Sequence, residues 1–203
     1  MEELPGVEAI TPDFLRANRI EGIIWDLDGT LTLHGASEIH PGVRANVMQL
    51  LQIVELQNVV LSNARSPRLR ALSACLPGIP FVKGYQAGRN LTFRIFQDGE
   101  ESWTGGVRRE AAAVRKPDQR LVEFAIEKTG VTSRDRIALV GDQHLTDIAP
   151  ANLAGLLSVK VPTLEPASFP LPVRALQLAE QAVCAGATRL TRRPGRSRSH
   201  SKP

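Results

Sequence analysis

Two aspartates, Asp26 and Asp28, follow the apolar run Gly22-Ile23-Ile24-Trp25 with one residue between them, and Gly29 and Thr30 come next. Carboxylates this close repel unless a cation lies between them. A hard divalent ion such as Mg²⁺, which takes oxygen ligands, is the economical solution. The same pair offers a nucleophile and a proton-transfer group. Further along, Ser62 and Asn63 follow Val59-Val60-Leu61, Lys116 precedes Pro117, and Asp142 follows Ala138-Leu139-Val140-Gly141, with Asp147 a turn beyond. Each has a plainer reading alone. Asp-Gly is a common turn, a serine after a strand caps its own bend, and a lysine before a helix-starting proline is usually solvated.

These residues act together only if the elements carrying them share one sheet. Gly22–Asp26 reads as a strand buried on both faces. A helix is expected from Pro41 to about Leu56, with Val43, Val47, Leu50, Leu51 and Val54 on one face. Strand Val59–Leu61 follows, then a helix capped by Ser66-Pro67 and running to about Leu76, then strand Ile79–Val82. After Pro117-Asp118 a helix runs to about Thr129, with Gly130 as its stop. Strand Ile137–Val140, the loop 143–147, a helix closed by Gly155, strand Leu156–Val161 and a last helix at about Val173–Ala185 complete the series. Alternating strands and helices imply an α/β, Rossmann-like, doubly wound parallel sheet. The carboxyl ends of such strands lie along one edge, where ligands bind. Residues 84–110 interrupt the alternation. Leu91–Phe96 reads as a strand, Asp98-Gly99 as a hairpin turn and Ser102–Thr104 as the return. The expected organisation is one domain over 1–188, with a small β-hairpin insertion at about 84–110 and no large cap domain, then a tail over 189–203.

Composition narrows the class. Of 203 residues, 42% are hydrophobic, enough for a core, and only 4% aromatic, so that core is aliphatic. The net charge of +4 comes from the tail, whose Arg189, Arg192, Arg193, Arg196, Arg198 and Lys202 account for six of the 25 basic residues. The remaining 19 face 21 acids, so the body is slightly acidic and is not a basic surface for nucleic acid. The Arg/Ser/Pro tail is disordered by composition. No run is apolar enough to span a bilayer, and the acidic start lacks the apolar core of a signal peptide. Cys75 and Cys184 have no metal-ligand spacing and read as buried thiols, which fits a reducing, cytoplasmic home. His34 and His40 read as polar loop residues, since magnesium prefers oxygen.

The order and type of the strand-end residues resemble the four motifs of the haloacid dehalogenase (HAD) superfamily. Asp26-Leu27-Asp28-Gly29-Thr30 is similar to motif I, Ser62 to motif II, Lys116 to motif III, and Gly141-Asp142 with Asp147 to motif IV, over about residues 12–161. The wording Gly141-Asp142-Gln143-His144-Leu145-Thr146-Asp147, with Ser62-Asn63 and Thr11-Pro12-Asp13, resembles the YqeG-type HAD IIIA phosphatases. Motif I departs from that branch, which has Asn where Gly29 stands, and so does the long 84–110 connection.

The resemblance implies an Mg²⁺-dependent phosphoric monoester hydrolase working through an aspartyl-phosphate. Asp26 would be the nucleophile, and Asp28 the acid that protonates the leaving group and then activates water. Asp26, Asp142 and the backbone carbonyl of Asp28 would hold Mg²⁺. Lys116, Ser62 and the N–H groups near Leu27 and Asn63 would bind the transferring phosphoryl group. Thr30 would steady the turn, and Asp147 would orient Lys116 or a metal-bound water. The implied substrate is a phosphorylated small molecule or lipid head group. The alternatives within the superfamily are a phosphatidylglycerophosphate phosphatase at a membrane surface, with the basic tail on anionic lipid, and a phosphomutase. The second acid, Asp28, favours phosphate-ester chemistry, and the short link between motifs I and II favours a hydrolase over a mutase. Outside the superfamily stand a scaffold with a retired site and an RNA- or membrane-binding protein acting through its tail.

Overall fold

The computed structural model describes residues 1–105 and 111–191. Two compact units divide the chain, one over Met1–Ser168 and a second beginning at Phe169. The first holds all the motif residues.

Its centre is a mostly parallel sheet. Strands β1 (Glu2–Glu3), β2 (Gly22–Trp25), β3 (Gln57–Leu61), β4 (Phe81–Ala87), β5 (Asn90–Gln97), β6 (Glu100–Trp103), β7 (Ala112–Val114), β8 (Ile137–Gly141) and β9 (Leu157–Lys160) lie in the order β1-β9-β8-β2-β3-β4-β5-β6, with β7 also paired to β4. Pairing is parallel from β1 through to β4 and antiparallel among β4, β5, β6 and β7. Central strand β2 is buried at every position, as its unbroken apolar run requires. One face packs Trp25, Val60, Phe81 and Val140 against Val47, Leu69 and Leu72. The other packs Ile24, Val59, Leu61 and Leu139 against Leu121, Val122 and Ala125. Helices therefore cover both faces, as expected.

Helices α1 (Pro12–Ala17), α2 (Pro41–Leu50), α3 (Ser66–Ser73), α4 (Gln119–Thr129) and α5 (Ala149–Leu153) make the crossovers. Several boundaries differ from the sequence reading. Helix α2 stops at Leu50 rather than near Leu56, and Val54 is 86% exposed. The chain has only a few residues in which to turn and enter β3 with Gln57 opposite Gly22, and two tight turns at Leu50–Leu56 use them. Ser66 does not cap α3. Arg65 is the N-cap residue, and the Ser66 hydroxyl instead meets Tyr85 Oη at 2.6 Å. Helix α4 ends as read, on Gly130 with φ 69°.

The insertion also differs in kind. Strand β4 does not end at Val82. Its first two residues pair with β3, and it then continues as one side of an antiparallel meander with β5 and β6. The Asp98-Gly99 turn is present, with φ of 54° and 81°, the left-handed pair that a tight two-residue hairpin demands. The hairpin thus extends the sheet edge. In the second unit, helix α6 (Leu171–Thr191) runs beyond the expected Ala185, so the tail reading is corrected for 189–191. The rest of the tail, 192–203, lies outside the described residues. Among the described residues, no helix is long and apolar enough to cross a membrane.

Candidate active site

Strand β2 delivers the nucleophile candidate. Asp26 N–H donates to Val140 O at 2.8 Å, which continues the ladder one step past Trp25 and fixes the backbone where the side chain leaves the sheet. Gly29 follows with φ 87°, a left-handed conformation that lets the chain turn sharply behind Asp28. The Thr30 hydroxyl donates to Asp26 Oδ2 at 3.4 Å, and Thr32 to Leu27 O at 3.1 Å, so both buried threonines hold the turn.

Strand β8 delivers Asp142. The next turn is widened: Ile148 N–H reaches back five residues to Gln143 O at 3.2 Å. Such turns recur at functional sites because they re-aim a side chain. Here it folds Asp147 back over Gly141, where Gln143 N–H donates to Asp147 Oδ2 at 3.1 Å. Gly141 is required for this, since a Cβ there would lie 2.4 Å from the Asp147 Cβ.

Lys116 arrives from β7. Asn63 latches its backbone, accepting from Lys116 N–H at 2.8 Å and donating to Lys116 O at 3.4 Å. The ammonium then bridges Asp26 Oδ1 and Asp147 Oδ1, the latter at 2.6 Å. Asp26, Lys116, Asp142 and Asp147 are all at most 7% exposed.

Among the described residues, Asp26, Asp142 and Asp147 form an acidic trio, with one oxygen of each within 4.8 Å of the others. Among the described residues, Lys116 is the ammonium paired directly with two of these three carboxylates. Burial pushes the Asp26 carboxyl well up, with Lys116 opposing and Asp147 and Asp142 adding to the rise. Burial likewise lifts Asp142 to about 7, again with Asp147 adding. Burial alone would lower Lys116, but Asp147 and Asp26 outweigh it and raise it, so the ammonium stays charged. Both Asp142 oxygens are buried without a hydrogen-bond partner; Thr163 lies near enough to ease the charge without a regular bond. A buried carboxylate with both oxygens unmet is costly. A hard dication at the trio would supply the missing contact and bring the local charge to zero, so these residues fit Mg²⁺ in charge and donor type.

The remaining expected residues are placed as follows. Ser62 is 4% exposed and its hydroxyl accepts from Ala64 N–H at 3.1 Å, shaping the loop that follows β3. The Leu27 side chain is in the core, so only its backbone faces the site. Asp28 is not in the trio. Its carboxylate pairs with Arg68 Nη1 at 2.8 Å and accepts from Gly35 N–H at 2.9 Å. Arg68 also donates to Thr32 Oγ1 at 2.7 Å and to Ala36 O, tying the loop after motif I to α3. Sequence reasoning missed Arg68, which sits in Arg-Leu-Arg and looks like a solvated helix face. A groove lined by Pro12, Arg16, Ile53 and Arg136 lies by the amino end of β2, away from these groups.

A HAD-hydrolase-like family model matches residues 113–164, the segment with Lys116, Asp142 and Asp147. No curated protein matches the sequence. Similar solved structures include an uncharacterized protein from Listeria monocytogenes serotype 4b, 14% identical over 75% of this chain and 86% of that one, with a TM-score of 0.46. A thermostable NPPase single mutant from Geobacillus stearothermophilus is 14% identical over 73% and 92%, with a TM-score of 0.41. The 4-nitrophenylphosphatase from Thermotoga maritima is 16% identical over 73% and 88%, with a TM-score of 0.33. The segment 113–164 is thus similar to a HAD-like hydrolase, and the fold brings its Lys116, Asp142 and Asp147 together with Asp26 at the carboxyl edge of one parallel sheet.

Proposed function

We propose that the protein is an Mg²⁺-dependent phosphatase that hydrolyses a phosphate monoester through an aspartyl-phosphate on Asp26. The observation that carries this is the buried trio with its single lysine: a carboxylate nucleophile held beside a fixed cation, and Asp142 with two unmet oxygens.

An Asp26 oxygen attacks phosphorus, and the bond from phosphorus to the ester oxygen breaks. Asp28 gives its proton to the departing alkoxide. It then takes a proton from the water that attacks the aspartyl-phosphate, and inorganic phosphate leaves with the Asp26 carboxylate restored. Lys116 offsets the repulsion between carboxylate and phosphate dianion, and Asp147 and Asn63 hold it in place. Ser62 would donate its hydroxyl hydrogen to an oxygen of the transferring phosphoryl group. Bound by Asp26, Asp142 and the Asp28 carbonyl, with Asp147 as an added carboxylate, Mg²⁺ would supply charge neutralisation at the transferring oxygens. Arg68 holds the Asp28 carboxylate, so the acid role requires Asp28 to turn from Arg68 toward the leaving group in the bound complex.

The test is a screen of phosphate monoesters with Mg²⁺ and with EDTA, on the parent and on Asp26→Asn. Metal-dependent release of phosphate by the parent, and none by a folded Asp26→Asn, is the expected result. A parent inactive on every ester, or an Asp26→Asn variant within a few-fold of it, refutes the reading and leaves the scaffold alternative.

A further inference from the structure

Lys83 is a lysine where a lysine is expensive. It sits on β4, 7% exposed, and among the described residues its ammonium donates to one acceptor, Ala64 O, in the loop just past Ser62. Two arginines lie beside it in register. Arg94 on β5 is directly opposite, and Trp103 on β6 is opposite Arg94. On the other side β7 pairs Val114 with Gly84, so Arg115, the next residue, comes level with Lys83. The lateral order is therefore Arg115, Lys83, Arg94, Trp103.

Three cations directly across from one another on a sheet repel. Glu101 is the carboxylate recorded beside them, and Arg70 as well as Arg94 already uses it. Arg94 Nε is buried with no partner. The strain shows in Lys83 itself, whose pKa burial lowers, with Arg115 and Arg94 adding to the shift. A sheet edge built for stability alone would not assemble this row.

The position is informative. Val82 pairs with Leu61, so Lys83 comes level with Ser62, at the carboxyl edge. From β2 to β4 is two strand spacings, about 10 Å. That is the span of a small phosphorylated metabolite with its phosphoryl group at Asp26. We propose that Lys83, Arg94 and Arg115 form a subsite for a second anionic group, a carboxylate or a phosphate, on the ester that Asp26 attacks. The subsite rests on the phosphatase reading above. Under it, Arg94 and Arg115 flank the anion, Lys83 meets it from below, and Trp103, whose ring centroid lies 5.1 Å from the Arg94 guanidinium carbon, forms the outer wall.

Two arms test this. The kinetic arm compares kcat/KM for glycerol 3-phosphate against 3-phosphoglycerate, and for fructose 6-phosphate against fructose 1,6-bisphosphate, in the parent, Lys83→Met and Arg115→Gln. Losing one charged contact should reduce the preference for the doubly anionic member by about 10- to 100-fold in at least one pair. The pair affected tells carboxylate from phosphate. If Lys83 merely staples the Ala64 loop, both members of each pair fall together and their ratio stays unchanged, which overturns the proposal. Arg115 is exposed, so its variant keeps the test available if Lys83→Met does not fold.

The binding arm needs no turnover. Trp25 is fully buried, so Trp103 dominates any change in tryptophan emission at the edge. Sulfate should change that emission saturably in the parent and much more weakly in either variant. Equal titrations in all three overturn the proposal. Sulfate binding lost in the variants, with no ester hydrolysed by the parent, would refute the phosphatase reading and not the anion site.

Discussion

Asp142 should make the acidic trio costly in the absence of a cation, and the size of the effect follows from its raised carboxyl pKa. Burial and Asp147 hold it at about 7, against about 3.9 for an aspartate in an unfolded chain. The native state then binds more protons than the unfolded state between those values, so stability falls as pH rises through that window. The loss from this one group is about 2 kcal/mol at pH 5 and about 4 kcal/mol at pH 8. Asp142→Asn has no such charge. It keeps an amide with the same unmet oxygen position, a cost that does not depend on pH. Relative to the parent, the variant should therefore gain about 2–3 kcal/mol between pH 5 and pH 8 in EDTA. At about 2–4 °C per kcal/mol for a domain of this size, the Tm difference should move by about 5–10 °C in favour of the variant. Thermal melts at pH 5, 6, 7 and 8 measure it. Adding Mg²⁺ at pH 8 should raise the parent more than the variant and close the gap. A Tm difference that stays flat with pH, or moves toward the parent, refutes the account of Asp142 as an unmet charge awaiting a cation.

Lys116→Met should cost about 3–5 kcal/mol of stability in EDTA, because it leaves Asp26 and Asp147 as uncompensated buried charges; denaturant unfolding measures it, and a near-neutral result contradicts the ion bridge. Gly141→Ala should push Asp147 off its position and lower both stability, by about 1–3 kcal/mol, and turnover. Full activity in that variant would mean Asp147 is not needed where it stands. Asp28→Asn should slow alkyl phosphates by about 10²–10⁴-fold and p-nitrophenyl phosphate much less, since the latter's leaving group needs no proton; equal losses on both esters count against the acid role.

The sheet and the four strand ends were legible because a parallel sheet buried on both faces leaves unbroken apolar runs, each stopping at a polar residue. Ile23-Ile24-Trp25 before Asp26 and Ala138-Leu139-Val140 before Asp142 are of this kind. What was not legible depended on distant partners. Nothing local distinguishes Arg68 from Arg70, yet one clamps Asp28 and the other sits over the meander with Glu101. Lys83 follows Phe81-Val82 as any solvated strand-end lysine would, and only the cross-strand register shows it to be buried among cations. Helix α2 was read too long because apolar periodicity continued through Val54, while the pairing of Gln57 with Gly22 required an early exit. The role of Asn63 also needed tertiary structure, since the backbone it grips is far along the chain.

Strand β7 has a bearing on which parts of this molecule are interchangeable. It lies against the same strand, β4, that continues into the meander, and Lys116 leaves it two residues past Val114. The outer ribbon, β5 and β6, has no ladder to the strands that carry Asp26 and Asp142. Its length and side chains are thus open to exchange, and with them the range of esters admitted. Residues 112–116 are not. A graft that moved β7 by one position against Gly84 would turn its side chains to the opposite face and carry Lys116 away from Asp26. Swapped inserts should therefore keep their chemistry only when the descending strand is retained from the host, a rule that divides the region into an evolvable rim and an invariant stem.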